Sequence, residues 1–222
     1  MCGHYSLTTP IDQLLLRLKG PLPQGLAAHY AARPEIAAGE PVLIQRQEHG
    51  ELQVGLALWG LLPEWQKQPL GSPRPIHARS ETVAEKASFR GAWRHRRCLL
   101  PADGYREGRG SRCVWVSRRD RQPFWLAGLW DRWIGPDGSE VESCCVLTTR
   151  ANGLVAPFHP RMPVILPDGL EDAWLQPADG AGLRALEPLL QPAEQGESWQ
   201  AVPVRVGGRI PPTDRQLALF HS

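Results

Sequence analysis

Lysine is scarce in this chain of 222 residues: Lys19, Lys67 and Lys86 are the whole set, and every other Lys/Arg position is arginine. The net charge is only +2, so global electrostatics select no class of partner. Arginine's planar fork suits bidentate phosphate contacts, and a GC-rich genome accounts for the bias equally well. Paired cysteine spacing is also missing. The five cysteines are an odd number without a CxxC pair, which argues against a disulfide framework and for a reducing cytoplasm. Cys98, Cys113, Cys144 and Cys145 sit among apolar, strand-like residues and read as buried free thiols. No charged segment followed by an apolar run opens the chain, and no stretch reaches the length of a membrane span. GxxxxGK[ST], HExxH, GxSxG and a Gly-rich dinucleotide loop are all absent, which leaves the common nucleotide, zinc-protease and hydrolase readings without support.

What is present is enough apolar material for a substantial core: 42 % hydrophobic residues, with nine tryptophans. Gly and Pro, 22 each, predict many turns and short strands. Met1 to Leu7 reads as extended. Thr9-Pro10 reads as an N-cap and first helical residue, with Ile11, Leu14, Leu15 and Leu18 on one apolar face. Val42 and Ile44, then Leu52, Val54, Leu56 and Leu58, alternate about a His49-Gly50 turn, a hairpin. After the Pro69–Pro75 stretch, Ser80 reads as the cap of a helix to about Arg96, with Phe89 and Trp93 one turn apart. Strands are expected at Cys98–Leu100, Cys113–Ser117, Phe124–Leu129, Cys144–Thr149, Met162–Leu166 and Ala201–Val206, with a turn at Pro136-Asp137-Gly138. Short helices are expected at Leu170–Leu175 and Leu183–Leu190, and a mobile tail beyond Pro211-Pro212. The pattern is α+β: one domain on a curled antiparallel β-sheet or β-barrel, with flanking helices.

Position 2 carries the most unusual chemistry. Loss of Met1 would leave Cys2 with a thiol and a free α-amine on one residue. Their ordinary pKa values, about 8.5 and about 7.7–8.0, leave part of the amine unprotonated near neutral pH. Such an amine condenses with an aldehyde to a Schiff base, and the sulfur then closes a five-membered thiazolidine. An internal cysteine lacks this reactivity because its nitrogen is an amide. On the tripeptide alone, a cysteine placed there by accident explains Met1-Cys2-Gly3 as well.

Five segments in order change that balance: Met1-Cys2-Gly3, Trp59-Gly60-Leu61-Leu62-Pro63-Glu64-Trp65, Ala78-Arg79-Ser80-Glu81-Thr82, Leu100-Pro101-Ala102-Asp103-Gly104-Tyr105-Arg106-Glu107 and His159-Pro160-Arg161-Met162-Pro163. Together they resemble the SOS-response-associated peptidase family over roughly residues 1–166, with weaker similarity to Val204. The resemblance implies one barrel-like domain, residues 1–210, followed by a tail at 211–222. It implies a cytoplasmic monomer that needs no cofactor or metal and acts on single-stranded DNA containing abasic sites. The implied chemistry is loss of Met1, by autoproteolysis or an aminopeptidase, then a thiazolidine crosslink from Cys2 to the ring-opened abasic sugar. Reversal of the crosslink and lyase-like strand incision belong to the same implication.

The resemblance gives Glu107 a proton-shuttling role and His159 that of proton donor to the opening sugar. By residue type alone, Glu107 reads as a surface glutamate in a charged loop and His159 as a core histidine. Arg79 and Arg161 match phosphate-holding arginines; an ion pair with Glu81 is the alternative for Arg79. Trp65 reads equally as a base-stacking residue, worth about 1–3 kcal/mol per base, and as a core residue, whereas Trp59 reads as core. The chain departs from the family at His4, usually arginine, and at His77, usually asparagine; His4 is kept as a DNA-binding residue and His77 as a catalytic one. Arg106 and Gly108 replace an aromatic and a tryptophan, Pro160 replaces an aspartate, and the segment after Tyr30 lacks the usual Asn and Thr-Gln. Crosslinking with altered pH dependence or DNA preference fits these changes, as does a diverged paralogue. Two further readings stand beside them. One is an N-terminal-nucleophile amidohydrolase, for which Asn152-Gly153 is the sole glutamine-holding candidate. The other is a non-catalytic single-stranded DNA-binding module.

Overall fold

The computed structural model describes residues 3–67, 74–193 and 196–204. Cys2, most of Pro69–Pro75, Val206 and the 211–222 tail lie outside the described residues. In chain order the elements are β1 (His4–Leu7), α1 (Ile11–Leu15), α2 (Leu26–His29), β2 (Arg33–Ala37), β3 (Pro41–Glu48), β4 (Glu51–Trp59), β5 (His77–Arg79), α3 (Ala87–His95), β6 (Arg97–Ala102), β7 (Gly104–Glu107), β8 (Val114–Arg118), β9 (Phe124–Ile134), β10 (Glu140–Arg150), β11 (Arg161–Pro163), β12 (Ile165–Leu166), α4 (Glu171–Leu175), α5 (Gly180–Ala185) and β13 (Trp199–Pro203).

The expected hairpin is β3–β4, paired from Pro41↔Leu58 to Glu48↔Glu51. His49 and Gly50 both take positive φ, 52° and 84°, the turn geometry whose twist matches two antiparallel strands. Around it the order β4-β3-β6-β9-β10 closes when β10 also pairs β4. The result is a five-stranded barrel, and closure removes the exposed edges an open sheet would present. One seam differs from the antiparallel expectation: β10 runs parallel to β4 and to β5. A long path separates these strands in sequence, so both can enter the barrel in the same direction. A second sheet, in the order β13-β8-β7-β1-β2, brings the amino-terminal strand against β7.

Barrel strands are buried on both faces. Along β9, Phe124, Leu126 and Trp130 join one core, and Trp125, Ala127 and Leu129 join another. Along β10, Cys144 and Val146 separate from Cys145 and Leu147 in the same way, as the two-residue strand period requires. The first core includes Tyr5, Tyr105 and Val116 from the second sheet; the other includes Phe89, Trp93 and Trp174 from α3 and α4. Gly128 lets β6 approach, since a Cβ there would lie 2.5 Å from Leu100 Cδ1 and 2.9 Å from Cys98 Sγ. Cys98, Cys113, Cys144 and Cys145 are buried free thiols, as expected. Burial pushes Cys145 up to about 12 and raises Cys98 and Cys144 well above the ordinary thiol range.

Several boundaries differ from the sequence expectation. Thr9 does not cap α1. Its hydroxyl donates to Asp103 Oδ1 at 2.5 Å and its N–H to Oδ2 at 2.9 Å, while the Thr8 N–H and hydroxyl also donate to Oδ2. A carboxylate from the neighbouring chain segment outcompetes local capping, and α1 is a single turn in which Leu14 is buried and Leu15 is 40 % exposed. Ser80 opens only a 3-10 turn, Ser80–Thr82. The chain extends again at Lys86, so the helix carrying Phe89 and Trp93 starts at Ala87. Met162–Leu166 divides into β11 on β10 and β12 on β9. Leu183–Leu190 divides into α5 and a 3-10 turn, Glu187–Leu190, that contains Pro188. The last strand starts earlier, at Trp199, paired to Arg118.

Candidate functional site

The β1–β7 pairing builds the site. Tyr5 faces Tyr105 and Ser6 faces Gly104; carried on, the same register sets His4 across from Arg106 and Gly3 across from Glu107. Arg106 donates to His4 Nδ1 and lies 3.1 Å from Glu35 Oε1, while His4 Nε2 is 3.6 Å from that oxygen. An acceptor Nδ1 places the ring proton on Nε2, towards Glu35. Burial, then the charge of Arg106, lowers the His4 pKa, and Glu35 opposes them. His4 is thus tied to β2 and β7 rather than presented as a free cation.

Glu107 is not a surface glutamate: it is 1 % exposed. It ends β7, where Gly108 turns the chain at φ 95°; a Cβ on Gly108 would lie 2.1 Å from the Arg112 carbonyl oxygen. This backbone accepts glycine and has no room for a side chain. Glu107 Oε1 lies 3.8 Å from His159 Nδ1. That nitrogen accepts the Arg161 N–H at 3.0 Å, and the Arg161 carbonyl is 3.0 Å from it as well. A proton gained at Nδ1 would face the Arg161 carbonyl and the Glu107 carboxylate. The carboxylate and the imidazole thus face each other without a direct hydrogen bond between them.

His159 ends the loop between β10 and β11. Asn152 shapes that loop: its Oδ1 accepts from the N–H groups of Leu154 and Val155 at 3.1 Å each, and its Nδ2 donates to Ala193 O at 2.8 Å. His77, on β5, meets Trp59 edge-to-face at 6.2 Å, and Trp59 meets Tyr5 at 5.3 Å. Trp59 is a core residue, as expected, 1 % exposed, with Nε1 donating to Ile76 O. This aromatic row joins His77 to the amino-terminal strand.

Arg79 and Arg161 flank β10. Arg79 pairs in register with Thr148, and Arg161 with Arg150. Arg79 is exposed and does not pair with Glu81. Glu81 instead takes the Arg161 fork, Nη1–Oε1 3.0 Å and Nη2–Oε2 2.9 Å. The Arg161 stem is fixed by Nε to Thr148 Oγ1 at 3.2 Å and Nη2 to Thr148 O at 2.5 Å. Sequence reasoning passed over Arg150, and the Glu81 ion pair that stood as the alternative for Arg79 belongs to Arg161 instead. The i, i+2 alternation of Thr148 and Arg150 was a signal for Arg150; nothing local marks the Glu81–Arg161 pair.

Trp65 stands apart from these groups. It is 56 % exposed beside Glu64, whose N–H is held by Asp131, and Asp131 faces Ser143. Thr148 lies five residues further along β10, about 16 Å at the rise of a strand. Trp65 there borders a groove of about 390 Å³ with Arg90, Arg94 and Arg96. Among the described residues no His/Cys/Asp/Glu group is arranged to hold a metal ion, and no helix is long and apolar enough to cross a membrane.

The chain is similar in sequence and in fold to known proteins. The family model described as SOS response associated peptidase (SRAP) matches residues 1–208. The abasic site processing protein YoqW of Bacillus subtilis (strain 168) is 32 % identical over 209 residues, covering 90 % of this chain and 92 % of YoqW. The abasic site processing protein YedK of Escherichia coli (strain K12) is 27 % identical over 217 residues, covering 93 % and 94 %. Among solved structures, a protein of Bacteroides thetaiotaomicron superposes with a TM-score of 0.77 at 25 % identity over 92 % of each chain. A Bordetella bronchiseptica protein gives 0.71 at 25 % identity, over 92 % of this chain and all of that one.

Proposed function

The chain belongs to the SOS response associated peptidase family, and from that premise we propose that it processes abasic sites, capturing them in single-stranded DNA through Cys2. The observation that carries the reading is the pair of buried Glu107 and part-buried His159 at the end of β7, where the β1–β7 register, carried on, leads to Gly3, the residue to which Cys2 is bonded. With Met1 removed, the Cys2 α-amine attacks the aldehyde of the ring-opened abasic sugar, and a carbinolamine loses water to give the Schiff base. The thiol then adds across the C=N bond, its proton passing to nitrogen, and the thiazolidine closes. The sum is protein plus aldehyde less one water.

Two proton transfers need partners. One protonates the sugar ring oxygen as the ring opens, and the other assists loss of water from the carbinolamine. His159 serves the first and Glu107 the second, with the 3.8 Å gap allowing exchange between them. Positioned groups of this kind contribute about 10²–10⁴-fold. Glu107 also serves as the base for cleavage of the Met1–Cys2 bond, and the same proton transfers run backwards in release of the crosslink. Arg79 and Arg161 hold phosphates beside the lesion, His77 borders the site through Trp59, and Trp65 stacks on a base further along the strand. The amidohydrolase alternative is disfavoured because the Asn152 carboxamide is committed to its own loop through Oδ1 and to the Ala193 carbonyl through Nδ2.

The test uses protein whose intact mass begins at Cys2 and an oligonucleotide with one abasic site. A heat-stable band on a denaturing gel, at the summed mass less one water, is expected. It should vanish with Cys2→Ala and with undamaged DNA. An equal yield from Cys2→Ala would overturn the reading.

A further inference from the structure

Three arginines gather at the carboxy-terminal end of β10, and two of them, Arg150 and Arg161, act on the carboxylate of Glu81. Arg150 and Arg161 face each other directly across β10–β11, a placement in which like charges destabilise a sheet. Arg79 stands on the opposite flank, across from Thr148. Arg79 and Arg150 are exposed, and neither makes a hydrogen bond or ion pair with another described residue. Only Arg161 is neutralised, by the bidentate contact with Glu81. Its Nε and Nη2 also hold Thr148, so its outward fork is fully used. The Arg161 hydrogen bond, with further help from the charges of Arg161 and Arg150, keeps the Glu81 carboxyl below its ordinary range. Glu81 is nevertheless 44 % exposed, on a short 3-10 turn, while Arg161 is 15 % exposed. The arginine is fixed and the carboxylate is free to swing into water. A phosphodiester presents two anionic oxygens with the same fork geometry as a carboxylate.

We propose that Arg79, Arg150 and Arg161 form one phosphodiester cradle, two residues from His159, in which Glu81 holds the place of a backbone phosphate until a strand binds. The inference rests on the single-stranded DNA reading above and adds two residues to it: Arg150 as a phosphate ligand and Glu81 as its internal competitor. The cradle reads backbone charge and not the lesion, so it acts on damaged and intact strands alike.

The experiment is fluorescence anisotropy with a labelled, undamaged oligodeoxythymidine over a KCl series, for the parent, Glu81→Gln, Glu81→Asp and Arg150→Gln. Glu81→Gln removes the competitor and should bind roughly two- to fivefold tighter, the range in which an exposed ion pair acts. Glu81→Asp, with a shorter reach to the fork, should fall between Gln and the parent. Arg150→Gln should bind more weakly, with the log–log salt slope reduced by about 0.7, the value of one phosphate on a single strand. Binding by Glu81→Gln equal to or weaker than the parent would overturn the competitor role, and an unchanged slope for Arg150→Gln would remove Arg150 from the cradle. A parent that fails to bind the strand refutes cradle and DNA reading together. A parent that binds it with the expected variant slopes, yet gives no adduct with abasic DNA, refutes capture and supports the cradle.

Discussion

Asp103→Ala should loosen the amino-terminal strand on which the site is built. The Asp103 carboxylate accepts the N–H and hydroxyl of both Thr8 and Thr9, fixing the end of β1 where the chain leaves for α1. In the alanine variant the two hydroxyls can rotate towards water at this half-buried position, but the two backbone N–H groups cannot turn without moving the chain. A buried donor left unsatisfied costs about 1–3 kcal/mol. Because the place is only half-buried, the lower half of that range applies, and the pair amounts to about 2–4 kcal/mol. In a domain of this size each kcal/mol lowers Tm by about 2–4 °C, so a fall of about 4–16 °C is expected. Asp103→Asn keeps one acceptor but brings an NH2 against donors, and should fall between the two. Thermal unfolding by circular dichroism reads this directly. Crosslinking below the new Tm should also slow, because Gly3 precedes this strand. An alanine variant within about 2 °C of the parent would refute the assignment of Asp103 as the clasp of β1.

Glu107→Gln should keep the fold and slow single-turnover crosslinking by about 10²–10⁴-fold; a rate within about threefold of the parent would remove Glu107 from proton transfer. His4 gives a pH signature. Burial and the Arg106 charge hold its pKa down, so the folded protein resists protonating it. Its contribution to stability is complete above about pH 6.5 and is lost as pH falls below that value towards the folded pKa. The Tm of the parent should therefore drop relative to His4→Asn, which keeps an acceptor, between about pH 7.5 and 5.5; parallel Tm curves would contradict this. Thiol titration with an aromatic disulfide reagent should find one fast-reacting thiol in the native protein, lost in Cys2→Ala, and all five in denaturant. Fast reaction of any second thiol would contradict the burial of Cys98, Cys113, Cys144 and Cys145.

Legibility in the sequence followed how local each cause was. The β3–β4 hairpin declared itself because His49-Gly50 supplies both positive-φ residues and the flanking runs alternate. The long strands β9 and β10 were visible as apolar runs, although burial on both faces obscured which residue faces which core. The parallel β4–β10 seam was not visible, because two strands of ordinary composition meet across a long separation. β7 was missed because Gly104–Glu107 is short and its pairing depends on β1 and β8. Thr9 and Ser80 each read as a helix cap; in one a distant carboxylate took the donors, and in the other the chain extended again at Lys86. At the site, residue identities were legible from the resemblance, but environments were not. Glu107 looked like a loop glutamate, and its burial is decided by β8, the Gly108 turn and His159. The partner of Glu81 is 80 residues away in sequence, beyond the reach of any local rule.

Capture by Cys2 is tested most directly by locating the adduct. The crosslinked protein, formed without reductant, is digested with protease and nuclease, and the modified peptide is sequenced by tandem mass spectrometry. The account predicts the sugar remnant on the peptide that begins at Cys2, bonded through both the α-nitrogen and the sulfur, with the loss of one water. A remnant on Lys19, Lys67 or Lys86, or on a Cys2 whose α-nitrogen still carries Met1, would contradict it.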